Sequence, residues 1–264
     1  MVLESLFPAR KIVNKPVDML ILSIIVTLAS VFVANTIFPV YSGIIAPLLV
    51  TVAMTPVFFR AFSIEEEVER KQARHKLKQS FFDRHDETIW LFSYFFLGNF
   101  IMVLLLGIIM PQSFVETAFA QQITEITAIR GIGGAFLFSG ILGIILTNNL
   151  KVMIFSFALS FLYGTGALFI LSWNASILGI FFANFVRLGL YDQLILTTAG
   201  ILPHAPIEIF AYFMAGIAGG ILSVGLIREK ISSKEFKLIF IDSLKLLLIG
   251  IMAVIVGALI EVFA

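Results

Sequence analysis

Apolar runs of about 17 to 25 residues recur along the chain, the length a helix needs to cross roughly 30 Å of hydrocarbon. The first lies between Val17 and Thr36, and the last between Leu238 and Val262. Together the runs are rich in Leu, Ile, Phe and Gly and apolar on every side, whereas the strands of a membrane barrel alternate apolar with polar residues. Helices are then the remaining way to satisfy the backbone in lipid. The composition agrees: of 264 residues, 59% are hydrophobic and 13% charged, against about a quarter charged in soluble domains. These features predict an all-α polytopic transmembrane bundle in a single integral membrane domain over residues 1–264. The lipid bilayer is its first partner.

A formal net charge of +1, with no one-sided basic stretch, offers nothing to neutralise many phosphates, so nucleic acid is excluded as a partner. With Cys 0, disulfides, thiolate catalysis and sulfur-ligated metals are excluded too, and no cofactor is expected. The stretch from Val17 to Thr36 is longer than a signal-peptide core and has no small-residue cleavage site, so it reads as a retained span.

Seven spans are expected: about Val17 to Ile37, Tyr41 to Phe59, Thr88 to Met110, Gly131 to Leu146, Lys151 to Trp173, Pro206 to Ile227 and Leu238 to Val262. Residues 60–87 contain Ser63-Ile64-Glu65-Glu66, a capping-box pattern, followed by Glu66/Arg70 and Glu67/Lys71 at i,i+4 spacing. They read as a solvated cytoplasmic helix. Residues 111–130 read as a polar loop with Arg130 as its one basic residue. The basic residues Arg10, Lys11, Lys15, Arg228, Lys230, Lys234 and Lys237 place the N-terminus and residues 228–237 in the cytoplasm by the positive-inside rule, and the C-terminus outside. That parity requires residues 174–205 to enter and leave on one side. The stretch divides at Arg187-Leu188-Gly189 into two apolar pieces of about 13 residues, each too short to cross at 1.5 Å per residue. A re-entrant helical hairpin is expected, with two short spans as the alternative.

Polar residues inside such a bundle must be partnered, because a lone charge in hydrocarbon costs about 2.5–3.5 kcal/mol or more. Arg187 and Asp192, in or near the hairpin turn, pair with each other, line an ion or substrate path, or play a catalytic electrostatic role. In Leu202-Pro203-His204-Ala205-Pro206-Ile207-Glu208, the prolines break the chain and set His204 and Glu208 four residues apart on one helix face. The pair can cap the helix, form a proton or polar-ligand site, or contribute two metal ligands where zinc usually takes three or four. Asn148 and Asn149 suit helix capping or hydrogen bonds between helices. Ala215, Gly216, Gly219 and Gly220 repeat small-xxx-small spacing, a close-packing face, and Gly164 and Gly166 suit the same purpose, as do the glycines at 131, 133 and 134.

Over roughly residues 131–230 the chain resembles the SpoIIM family, the stage II sporulation protein M group. The resemblance rests on Asn148-Asn149 ahead of an apolar helix with Gly164 and Gly166, then Leu202-Pro203-His204 with Glu208 four residues past the histidine, then the run Ala215 to Gly219. The family commonly has Gly directly after the histidine, where this chain has Ala205. The resemblance implies a multi-pass cell-membrane protein that, in endospore formers, anchors an engulfment complex with cell-wall-degrading partners. Relatives in organisms that make no spores are expected as well. Three functions follow: a scaffold recruiting membrane or extracytoplasmic partners, with homo-oligomers possible; a transporter or channel built on the hairpin; and an intramembrane enzyme acting on a lipid-linked substrate.

Overall fold

The computed structural model describes residues 16–75, 81–132 and 138–263, with the side chains of 68–83 and 129–141 also outside the description. Among the described residues there are ten α-helices: α1 Pro16–Ile37, α2 Ser42–His75, α3 Phe81–Ile109, α4 Gln112–Ala118, α5 Ala120–Ile132, α6 Phe138–Tyr163, α7 Ala167–Arg187, α8 Tyr191–Ile201, α9 Ala205–Arg228 and α10 Lys234–Phe263. Seven of them (α1, α2, α3, α6, α7, α9 and α10) are long and apolar enough to cross a membrane. Arg10, Lys11 and Lys15, the side chains of Arg70, Lys71 and Arg130, and the packing roles of Gly131, Gly133 and Gly134 lie outside the described residues.

The fourth and fifth spans fall elsewhere than expected. Asn148-Asn149 does not interrupt the chain: α6 runs through both and through Lys151. The break comes at Gly164, whose φ of 77° is a left-handed conformation that glycine adopts without strain. Moving the break releases Trp173 and the residues after it into α7, an unbroken helix of 21 residues, about 31 Å at the helical rise. The re-entrant hairpin is therefore not formed. Its first limb is the second half of a full-length helix. Its second limb is α8, 11 residues with none buried, set off by the turn at Gly189, φ 67°.

Residues 60–75 are likewise not a separate solvated helix but the continuation of α2. Ser63 does not cap a helix start; its hydroxyl donates back to the Phe59 carbonyl at 2.8 Å, and Ser63, Glu65 and Glu66 are buried. The polar stretch 111–130 folds as α4 and α5. Its glutamines repair a defect that the sequence itself creates. Pro47 lies inside α2 and has no N–H to give to the Gly43 carbonyl. Gln122 Nε2 donates to that carbonyl instead at 2.8 Å, while Gln121 Oε1 accepts the Gly43 N–H at 3.0 Å.

Two groups of helices form the bundle. In one, α3 packs between α1 and α7; in the other, α9 packs between α6 and α10; α2 and the α6–α7 contact join them. In lipid, packing and interhelical hydrogen bonds rather than water exclusion hold helices together, and small residues let backbones approach. A Cβ on Gly219 would stand 2.4 Å from the Phe157 carbonyl oxygen of α6, and one on Gly220 would stand 2.4 Å from the Phe62 ring. Gly216 meets Ala167 and Phe92 in the same way, and Ala215 is fully buried beside it. Gly166 serves the α6–α7 corner, where a Cβ would lie 2.4 Å from the Leu159 carbonyl. The ring of Phe58 meets Phe92 and Phe95 edge-on at 4.9 and 5.4 Å. In the first group, Asn99 of α3 accepts from Thr27 of α1 at 3.0 Å and from Ser172 of α7 at 2.8 Å. Every residue of α9 from Ala211 to Gly225 is buried, so the middle of the second group is solid.

Candidate functional site

The start of α9 follows from its prolines. Pro203 ends the preceding turn, Pro206 occupies an early helical position where a missing N–H costs nothing, and the His204 carbonyl accepts the Ile207 and Glu208 N–H groups at 2.9 and 3.2 Å. His204 thus takes the N-cap position, but its side chain makes no capping hydrogen bond. The backbone-capping reading of the imidazole is overturned. Glu208, one turn on, points inward and is buried.

Two further helices complete the surroundings of Glu208. From α6, Asn149 donates its amide to Glu208 Oε1 at 2.5 Å and accepts from the Tyr212 hydroxyl at 2.8 Å. The hydrogen bonds therefore run one way, Tyr212 to Asn149 to Glu208. From α10, Gly257 leaves room for the carboxylate arm, since a Cβ there would stand 2.6 Å from Glu208 Cγ. One turn further along α10 comes Glu261. One donor atom each from His204, Glu208 and Glu261 lie within 4.8 Å of one another.

These three groups are gathered without being joined. The ion pairs of the described residues involve other side chains, and His204 Nδ1 is buried with no hydrogen-bond partner. An unsatisfied buried polar atom costs about 1–3 kcal/mol. Two carboxylates and an imidazole gathered at one place, with no Lys or Arg among the described residues paired to them, form a site with an excess of acceptors.

The other predicted residues go elsewhere. Arg187 does not pair with Asp192; its Nη1 donates to the carbonyls of Gly107 and Met110 at 2.8 and 2.7 Å, which closes the last turn of α3. Asp192 is exposed in the first turn of α8, and Asn148 is exposed on α6. The convergence of Arg187 and Asp192 on His204 and Glu208 is thus not observed. Of the paired asparagines, Asn149 faces the cluster and Asn148 faces away.

A second polar assembly, unread in the sequence, sits at the far end of the same helices. Asp242 of α10, fully buried, is ion-paired to Arg84 of α3, with Lys245 at 3.0 Å. Glu65 of α2 binds His85 and accepts from Thr88 at 2.5 Å. Arg228, at the end of α9, reaches Glu66 at 3.3 Å. The 20 positions from Glu208 to Arg228 along α9 separate the two assemblies by about 30 Å, the thickness of the hydrocarbon. Charged residues inside an apolar run were the signal for Asp242 and Glu261, since such residues are rare in spans and mark sites.

The sequence matches the pattern of SpoIIM, Stage II sporulation protein M, over residues 19–264. The chain belongs to the SpoIIM family. The match extends well beyond the stretch 131–230 on which the resemblance rested, and it takes in both polar assemblies. An uncharacterized protein of Methanocaldococcus jannaschii is 34% identical over 122 residues, 45% of this chain and 67% of its own. No solved structure matches the chain.

Proposed function

We propose that this SpoIIM-family protein is a membrane scaffold that presents a rigid bundle to membrane or extracytoplasmic partners. The observation that carries this reading is α9, buried from Ala211 to Gly225 and drawn by its glycines onto α2 and α6. A helix enclosed on all sides and apolar along its middle suits a fixed platform better than a conduit. Partner contact falls to α8, whose Tyr191, Ile195 and Leu196 are exposed on a helix too short to span. Beside it lies an apolar groove of 540 Å³ between α3, α7, α8 and α9.

The orientation belongs to the same proposal. Arg84, Arg228, Lys230, Lys234 and Lys237 gather at the Asp242 end, which the positive-inside rule assigns to the cytoplasm. The Glu261 end, with α4, α5 and α8, then faces out. Because the chain has Cys 0, single cysteines at exposed Ser113 and Ser232 report on this directly. An impermeant maleimide added to intact cells labels Ser113→Cys and spares Ser232→Cys; the reverse pattern inverts the topology.

The scaffold reading is tested with a photo-crosslinking residue at Leu196, against a control at lipid-facing Leu248. A discrete heteromeric adduct from Leu196 alone, retained in a Glu208→Ala background, is the expected result. Adducts to lipid only at both positions would remove the reading. Loss of the adduct in a folded Glu208→Ala protein would tie recruitment to the buried cluster instead.

A further inference from the structure

We propose that His204, Glu208 and Glu261 bind one divalent transition-metal cation between the first turn of α9 and the last turns of α10. The inference does not depend on the scaffold reading. It rests on four observations. The three donor atoms lie within 4.8 Å of one another, and a cation bonded to each at about 2.0–2.2 Å holds its ligands no more than about 4.4 Å apart. Small side-chain adjustments therefore close the site.

Second, the groups do not satisfy each other. Among the described residues, neither carboxylate is ion-paired to the imidazole or to a Lys or Arg, and His204 Nδ1 is buried without a hydrogen-bond partner. Glu208, only 8% exposed, has one oxygen held by Asn149, and among the described residues its other oxygen takes no hydrogen bond. Third, the chain Tyr212 to Asn149 to Glu208 is the outer-shell support that orients a ligating carboxylate. Fourth, α10 has glycine at 257, where a Cβ would displace the Glu208 side chain.

The donor set decides the class of cation. Magnesium and calcium prefer oxygen throughout, whereas an imidazole nitrogen with two carboxylates suits zinc, manganese or iron. Three protein ligands leave a position for water, and the half-buried His204 and Glu261 leave a way in from the membrane surface. The two carboxylates neutralise the charge of such an ion.

The test uses the full chain, purified in detergent without a polyhistidine tag, stripped with chelator and shown to be helical and monodisperse. Titration with Zn²⁺ followed by elemental analysis is expected to give one ion per chain, and Co²⁺ is expected to give the visible absorption of a protein-bound site. Glu261→Gln and His204→Ala each weaken Zn²⁺ binding about a hundredfold or more, and Asn149→Ala weakens it about 10–100-fold through the outer shell. The absence of saturable Zn²⁺ or Co²⁺ uptake by the wild-type chain overturns the proposal whatever the variants do. So does uptake that is unchanged in Glu261→Gln and His204→Ala, or uptake of Mg²⁺ as tight as that of Zn²⁺.

Discussion

The two ends of the α9 and α10 pair hold charge in opposite ways. At the Arg228 end each buried acid has a base: Asp242 has Arg84 and Lys245, Glu65 has His85, and Glu66 has Arg228. These pairs link α2, α3, α9 and α10, helices far apart in the chain. At the Glu261 end two carboxylates and a histidine stand close but unjoined, supported by neutral Asn149 and Tyr212. A balanced end fixes the bundle by itself. An unbalanced end is completed only by something added, a proton or a cation. The same two helices thus carry a lock at one end and a receptive site at the other, and their behaviour under mutation should differ accordingly.

Asp242→Ala should have the largest effect. It removes the buried acid that Arg84 and Lys245 share, and breaking a buried pair in this way costs about 3–5 kcal/mol. Thermal or denaturant unfolding in a fixed detergent measures it. A loss under about 1 kcal/mol, the range of exposed pairs, would dissolve the contrast between the ends. Glu65→Gln comes next. The amide oxygen still accepts from Thr88, but the charge facing His85 is gone, for an expected loss of about 1–3 kcal/mol. Restoration by Glu65→Asp would show that charge, rather than side-chain length, holds α2 to α3.

How much of this was legible in the sequence varies with the kind of signal. Apolar run length gave the bundle and its seven spans, because lipid leaves so few alternatives. Glu208 and His204 stood out because Pro203 and Pro206 frame them. The Asn148-Asn149 break failed because a polar pair inside a helix is tolerated when one member, Asn149, finds partners across the bundle and the other is exposed. The true break at Gly164 needed only a permissive backbone, a weaker mark than two amides. Glu65 and Glu66 were misread because burial depends on which helices lie alongside, and Arg84, Arg228 and Asp242 are distant in sequence. Glu261 belongs to the same class: nothing local announces that the last turn of α10 returns to the first turn of α9.

Gly257→Ala probes the receptive end with a smaller expected effect. The added methyl meets Glu208 Cγ at 2.6 Å, so the carboxylate arm must shift or α10 must move away. Overpacking of this kind costs about 1–3 kcal/mol, and the unjoined cluster should yield at the lower end of that range. The same substitution should weaken Zn²⁺ binding, because it displaces a ligand. A variant that loses about 3 kcal/mol or more would mean that the Glu208 environment is as tightly determined as that of Asp242.

Glu208→Gln should change metal-free stability least, and in the opposite direction from Asp242→Ala. Glutamine keeps the length of the side chain and an oxygen for Asn149, gives Glu261 an amide donor, and carries no charge that could repel Glu261. With chelator present, unfolding should show stability unchanged or raised by up to about 1 kcal/mol, since the amide reproduces the hydrogen bond from Asn149 and brings no charge into the cluster. With saturating Zn²⁺ the sign should reverse. The wild type then gains about 2.7 kcal/mol at a hundredfold excess of ion over Kd, and the variant, short of a ligand, gains far less. A Glu208→Gln protein that loses several kcal/mol in chelator would show that the carboxylate is already matched within the fold. In that case the two ends would be alike, two locks rather than a lock and a site.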